Sequence, residues 1–203
     1  VRCYKFLENY HPDTMNESTL PVGRSVTLVL DGQQRLTSLL IGLRGTFSEK
    51  AKGARSSNSA AWSAKTLFID LLKDPDPRNE DDDSENEFGI TYGLAFHERR
   101  QNNNYRHHWF KVGSMLDYAS EERLEGLIAK VMAELHEGVS AWERGIAEET
   151  LRRLHRVIWK DEAINFFTET DQSVDRVLDI FVRANDGGTK LSKADLLMSM
   201  ITS

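Results

Sequence analysis

The chain has 203 residues with a formal net charge of -6, and 39% of its residues are hydrophobic. That is enough for one large domain or two small ones, and its acidity argues against a surface that grips DNA broadly by its phosphates. A single cysteine, Cys3, excludes an internal disulfide framework and a Cys-rich zinc site.

Residues 1–24 carry no clear periodicity, and the start lacks the apolar stretch of a signal peptide. No apolar run approaches the roughly 18 residues needed to cross a bilayer, so a cytoplasmic protein without a membrane partner is expected. The chain opens on Val1 and closes at Ser203 inside an apparent helix, which reads as one domain cut at both ends. Residues 25–30 (SVTLVL) are rich in β-branched side chains and predict a strand. The pattern breaks at Asp31-Gly32. Leu36, Leu39, Leu40 and Leu43 then recur at helical spacing, and Gly42 and Gly45 weaken the end of that helix.

Residues 48–65 are small and polar, the composition of a flexible insertion. Residues 66–72 (TLFIDLL) predict a strand. The next segment, 73–87, holds eight acids against two bases, so its excess of six negative charges equals that of the whole chain. It reads as a second, solvated insertion, since it lacks the spacing of a calcium loop. Residues 88–96 and 108–112 predict two more strands joined by the polar stretch 97–107. Helices follow, with stripes at Leu124, Leu127, Ile128, Val131 and Leu135, and at Ala147, Leu151, Leu154 and Ile158. Residues 163–168 (AINFFT) predict a strand. A third helical stripe runs through Val174, Val177, Leu178, Phe181 and Val182 to a turn at 185–188, and a last helix begins near Ser192, with Asp195 as capping partner. The fold class is α+β: a small sheet in the N-terminal half with a predominantly helical remainder.

The strand–turn–helix junction at Asp31, Gly32, Gln33, Gln34 and Arg35 is the best place for chemistry. A helix start leaves amides unpaired and carries partial positive charge, and a glycine lets a ligand approach the backbone. Such a start suits phosphate. Arg35 adds a planar fork for phosphate oxygens, and Asp31 suits a ribose hydroxyl or a magnesium ion. The plainer account is an ordinary helix start, with Asp31 as N-cap and Gln34 as its capping-box partner, and on local physics alone it is preferred. A second cluster repeats the ingredients: Arg183, Asn185, Gly187, Gly188, Thr189 and Lys190 before the helix at Ser192. Its plainer account is a helix–turn–helix connection. His107, His108, His136 and His155 lack metal-ligand spacing and read as surface or packing histidines. Arg44, Arg55, Arg99 and Arg100 offer a local basic patch for DNA as one account, with scattered surface cations as the plainer one.

Residues 28–40 (LVLDGQQRLTSLL) resemble the DGQQR motif of the N-terminal domain of GmrSD-type, modification-dependent restriction enzymes. Residues 181–197 (FVRANDGGTKLSKADLL) are similar to that domain's second motif. The resemblance implies a ParB/sulfiredoxin-like core that binds and hydrolyses a nucleoside triphosphate with Mg2+. In such a core Asp31 and Arg35 would be the principal active residues, with Asp31 at the metal. Gly32, Gln33 and Gln34 would complete the phosphate loop, and Arg183, Asn185 and Gly188 would line the opposite side. It further implies a regulatory role in DNA cleavage and phage defence, with DNA engaged through the full-length protein. Cutting would belong to a His-Asn-His type nuclease domain in the same or a partner chain. The alternative is a DNA- or protein-binding module that keeps the fold without turnover. Two departures stand out: no Q-R-x-Y/F-x-W segment precedes Asp31, and the loop holds Gln33-Gln34 where a sulfiredoxin needs cysteine.

Overall fold

The computed structural model describes residues 3–19, 27–29, 31–55, 57–75, 92–99, 101–171, 173, 175–176 and 179–180. Two short strands near the start, β1 (Cys3–Tyr4) and β3 (Ser18–Thr19), form an antiparallel pair. Between them β2 (Asn9–Tyr10) joins a larger sheet in parallel with β4 (Thr46–Lys50), with Tyr10 stacked on Phe47 at 5.3 Å. The long strand β5 (Trp62–Asp70) organises this sheet. Its first half pairs antiparallel with β4, and its second half with β6 (Gly93–His97). The last three residues of β5, Phe68 to Asp70, also pair with β7 (Trp109–Lys111), which takes the edge opposite β6. The outcome is a mixed five-stranded sheet with helices beside it, an α+β fold.

Helix α1 (Gln33–Leu43) packs against the sheet and against a 3-10 turn at Val112–Asp117. Close approach explains Gly45 just beyond its end. A Cβ on Gly45 would fall 1.6 Å from the carbonyl oxygen of Glu8, which accepts the Thr46 amide at 3.2 Å. Helices α2 (Glu121–Glu134) and α3 (Ala141–Trp159) bury the stripes expected of them. Leu124, Leu127, Ile128, Val131, Ala147 and Leu151 meet Ile69, Leu71, Leu72, Val112 and Met115 in one core. Both helices start on a serine: Ser120 accepts from the Arg123 amide, and Ser140 forms a complete capping box with Glu143.

Three expectations are corrected. Residues 48–50 and 62–65 are strand, not loop. Their small polar side chains do not prevent a backbone ladder, and Lys65 bonds Glu49 at 2.6 Å across it. Residues 27–29, the described part of the strand predicted at 25–30, have no strand partner; the Val29 carbonyl instead accepts from the Gln33 side chain at 2.8 Å. Residues 163–168 form no strand either, and pair with no strand among the described residues; Phe166 is 82% exposed and Phe167 fully so. Asp175, Arg176, Asp179 and Ile180 are helical, within the third predicted stripe. The turn at 185–188, the helix from Ser192 and most of the acidic run lie outside the described residues.

Candidate functional site

The start of α1 is built around Gly32, whose φ of 75° places it in the left-handed region that favours glycine. The Arg35 guanidinium folds back over this turn, with Nη2 3.3 Å from where a Cβ on Gly32 would stand. It reaches Asp31 Oδ2 at 3.4 Å, while Asp31 Oδ1 accepts the Gly32 amide at 2.6 Å. Exposure matters here: the Arg35 side chain is 80% exposed and that of Asp31 46%. An ion pair so wet and so long contributes little to stability and leaves the cation accessible.

The capping-box account of this helix start does not hold. The N-cap is Gly32, not Asp31, and no side chain caps the helix. The first amide with a helical partner is that of Leu36, donating to the Gly32 carbonyl at 3.0 Å. The amides of Gln33, Gln34 and Arg35 thus stand at an uncapped N-terminus beside an accessible guanidinium. Gln33 spends its side chain on Val29, as noted above. The side chains of Thr37 and Ser38 return to the carbonyls of Gln33 and Gln34 at 2.8 and 2.9 Å. Asp31, Gly32, Gln33, Gln34 and Arg35 are therefore one local surface. Arg183, Asn185 and Gly188 lie outside the described residues.

A second polar centre went unnoticed in the sequence. Asp70, at the end of β5, is 4% exposed. Its Oδ1 accepts the amides of Leu72 at 3.2 Å and His108 at 3.0 Å, and its Oδ2 accepts Nδ1–H of His107 at 2.7 Å. Only Nδ1 can be the donor to a carboxylate, so the pair fixes the orientation of the His107 ring. The preceding turn is equally determined: Asn104 Oδ1 accepts the amides of Arg106 and His107, and Asn103 Oδ1 accepts that of Trp109. His108 is buried at 2% exposure as a packing histidine, while the His107 side chain is 52% exposed at the surface, held there by Asp70. His155 is a packing histidine, 2% exposed, with Nε2 on the Ala119 carbonyl at 3.3 Å. The signal available in the sequence was one aspartate inside an apolar strand, since a buried carboxylate needs partners.

Residues 13–202 match the family described as GmrSD restriction endonuclease, N-terminal domain. The chain belongs to that family. The GmrSD match covers both motifs read from the sequence and nearly all of the chain. No curated protein matches it significantly. Among the described residues no three of His, Cys, Asp and Glu converge as a metal site, and no helix is long and apolar enough to cross a membrane. At the α1 start the Asp31 carboxylate is the group that could hold a metal. That donor set suits Mg2+, which keeps water and takes phosphate oxygens alongside one or two carboxylates.

Proposed function

We propose that the turn and helix start from Asp31 to Arg35 bind the phosphates of a nucleoside triphosphate, and that this GmrSD N-terminal domain hydrolyses the nucleotide to regulate DNA cleavage in a restriction system. The observation that carries the reading is the uncapped N-terminus of α1 beside an exposed Arg35. Free amides at a positive helix end favour an anion, and a guanidinium gives it paired, charge-assisted donors. Phosphoryl transfer asks mainly for positioning and neutralised charge. Arg35 would neutralise the phosphates, Gly32 would let them approach the backbone, and Asp31 would hold a Mg2+ that supplies further neutralising charge. Gln34 would orient the attacking water. Arg183, Asn185 and Gly188 are proposed to close the site from the opposite side, in a ParB/sulfiredoxin-like arrangement. DNA and a His-Asn-His type nuclease domain would be engaged through the full-length protein.

The test is a titration of ATP, GTP, CTP and UTP with Mg2+ against the 203-residue chain and its Arg35→Ala variant. The variant is expected to bind about tenfold more weakly or worse, as loss of a charge-assisted pair implies. Equal binding by variant and parent would remove the site.

A second reading keeps the fold as a binding module without turnover. The contact of Asp31 Oδ2 with Arg35 favours it, because each then partly neutralises the other without a ligand. Nucleotide binding without phosphate release would support it.

A further inference from the structure

Residues 99–116 hold four cations, Arg99, Arg100, Arg106 and Lys111, and no acid, in a chain whose net charge is -6. Among the described residues, Arg99, Arg106 and Lys111 are exposed and none has a carboxylate partner. Elsewhere Lys65, Arg152, Lys160 and Arg176 all do. Within this stretch lies the turn of residues 104–107. Its shape is set from within: the Asn104 side chain takes two amides, and the Asn104 amide donates to the His107 carbonyl at 2.9 Å. Its base is anchored by the His107–Asp70 bond, by the 23° stacking of His107 on Trp109, and by the edge-on contact of Trp109 with His97 at 4.5 Å. What this rigid turn presents to solvent is Tyr105, 50% exposed, with the Arg106 guanidinium over its ring at 5.2 Å. The exposed Gln101 and Asn102 adjoin it in sequence.

We infer that this turn is a contact surface for a single nucleic-acid strand, with a base stacked on the Tyr105–Arg106 platform and phosphates taken by Arg106, Arg99 and Lys111. Three features select a polynucleotide over an acidic protein. The aromatic and guanidinium are already stacked, which suits the face of a base. The adjoining side chains are amides, which can pair with base edges. The cations fall in one stretch of sequence around the turn and form no ion pair with a described carboxylate, which suits a phosphate backbone. The turn is held by Asp70 beneath it, so its geometry exists before a strand arrives. The inference does not depend on nucleotide binding at α1.

The measurement is fluorescence anisotropy of a labelled single-stranded oligodeoxynucleotide of about 16 nucleotides with the 203-residue chain, across a salt series. Parent protein is expected to bind, with affinity falling as salt rises. Tyr105→Ala and Arg106→Ala are each expected to weaken binding about fivefold or more, and Arg106→Ala to flatten the salt slope. Lys52→Ala, in a distant turn, should change nothing, and Arg35→Ala should leave strand binding intact even where it abolishes nucleotide binding. Absence of binding by the parent, equal binding by the Tyr105 and Arg106 variants, or equally strong competition by polyglutamate would each overturn the inference. Circular dichroism of both variants matching the parent's ensures that a loss reports on the surface, because neither side chain is buried.

Discussion

Asp31 and Asp70 each close a run of β-forming residues, and the fold treats them oppositely. Asp70 is buried and accepts from three donors within 3.2 Å, two of them backbone amides. Asp31 is nearly half exposed, with one adjacent amide and a guanidinium at 3.4 Å. The starts of α1 and α3 repeat the contrast. In α3, Ser140 and Glu143 satisfy each other's amides; in α1 nothing caps the chain. A carboxylate or helix end whose partners are all supplied by the protein is spent on the fold. One with acceptors or amides to spare has capacity left for a ligand.

The largest expected effect lies on the spent side. Asp70→Ala would strand the Leu72 and His108 amides and release His107, a loss of about 3 kcal/mol. Urea denaturation would register it as a lower midpoint. Stability equal to the parent's would erase the contrast and return Asp70 and His107 to consideration as a working pair. Arg35→Ala comes next: a tenfold or greater loss of nucleotide affinity should accompany a stability change under about 0.5 kcal/mol, since the ion pair it breaks is exposed.

Ser140→Ala sharpens the helix comparison at about 1 kcal/mol. It also carries a pH signature. The Ser140 hydroxyl and amide both bond the Glu143 carboxylate and hold its pKa below the ordinary 4.5. A depressed acid stabilises the fold above its unfolded value, and that contribution fades as pH falls through the lowered one. The gap between parent and variant should therefore be widest at neutral pH and narrow below 4.5. A gap that stays constant with pH would mean that Glu143 takes no part in the cap.

The helices were legible because their signals are local. Leu124, Leu127, Ile128 and Val131 recur on one face, and the structure buries all four. The sheet was half legible. β5 announced itself through its apolar run, but β4 and the first half of β5 did not. Ser48, Glu49, Ser63 and Ala64 form strand because they face one another across the ladder, a relation between distant positions that composition cannot express. Residues 163–168 erred the other way: Phe166 and Phe167 have strand propensity and pair with no described strand. At the α1 start the five residues were legible as a motif, while the cap was misread. Asp31 sits one residue too early, and Gly32 in the left-handed region turns it away from the helix amides. The Asp70 cluster stayed hidden because its members are 37 and 38 residues apart.

The smallest expected effect separates the two accounts of Asp31 most cleanly. Were Asp31 the N-cap of α1, Asp31→Ala would cost about 1 kcal/mol of stability and change nothing else. Among the described residues its carboxylate takes the Gly32 amide, outside the helix, and a loose contact with Arg35. The loss should therefore stay under about 0.5 kcal/mol. Magnesium should supply the larger readout. If Asp31 helps to hold the ion, the parent should bind nucleotide better with Mg2+ than with EDTA, and Asp31→Ala should abolish that difference. Arg35→Ala should instead weaken binding under both conditions. An Asp31→Ala protein that keeps its full magnesium response would place the ion elsewhere and leave Asp31 as a partner of Arg35 alone.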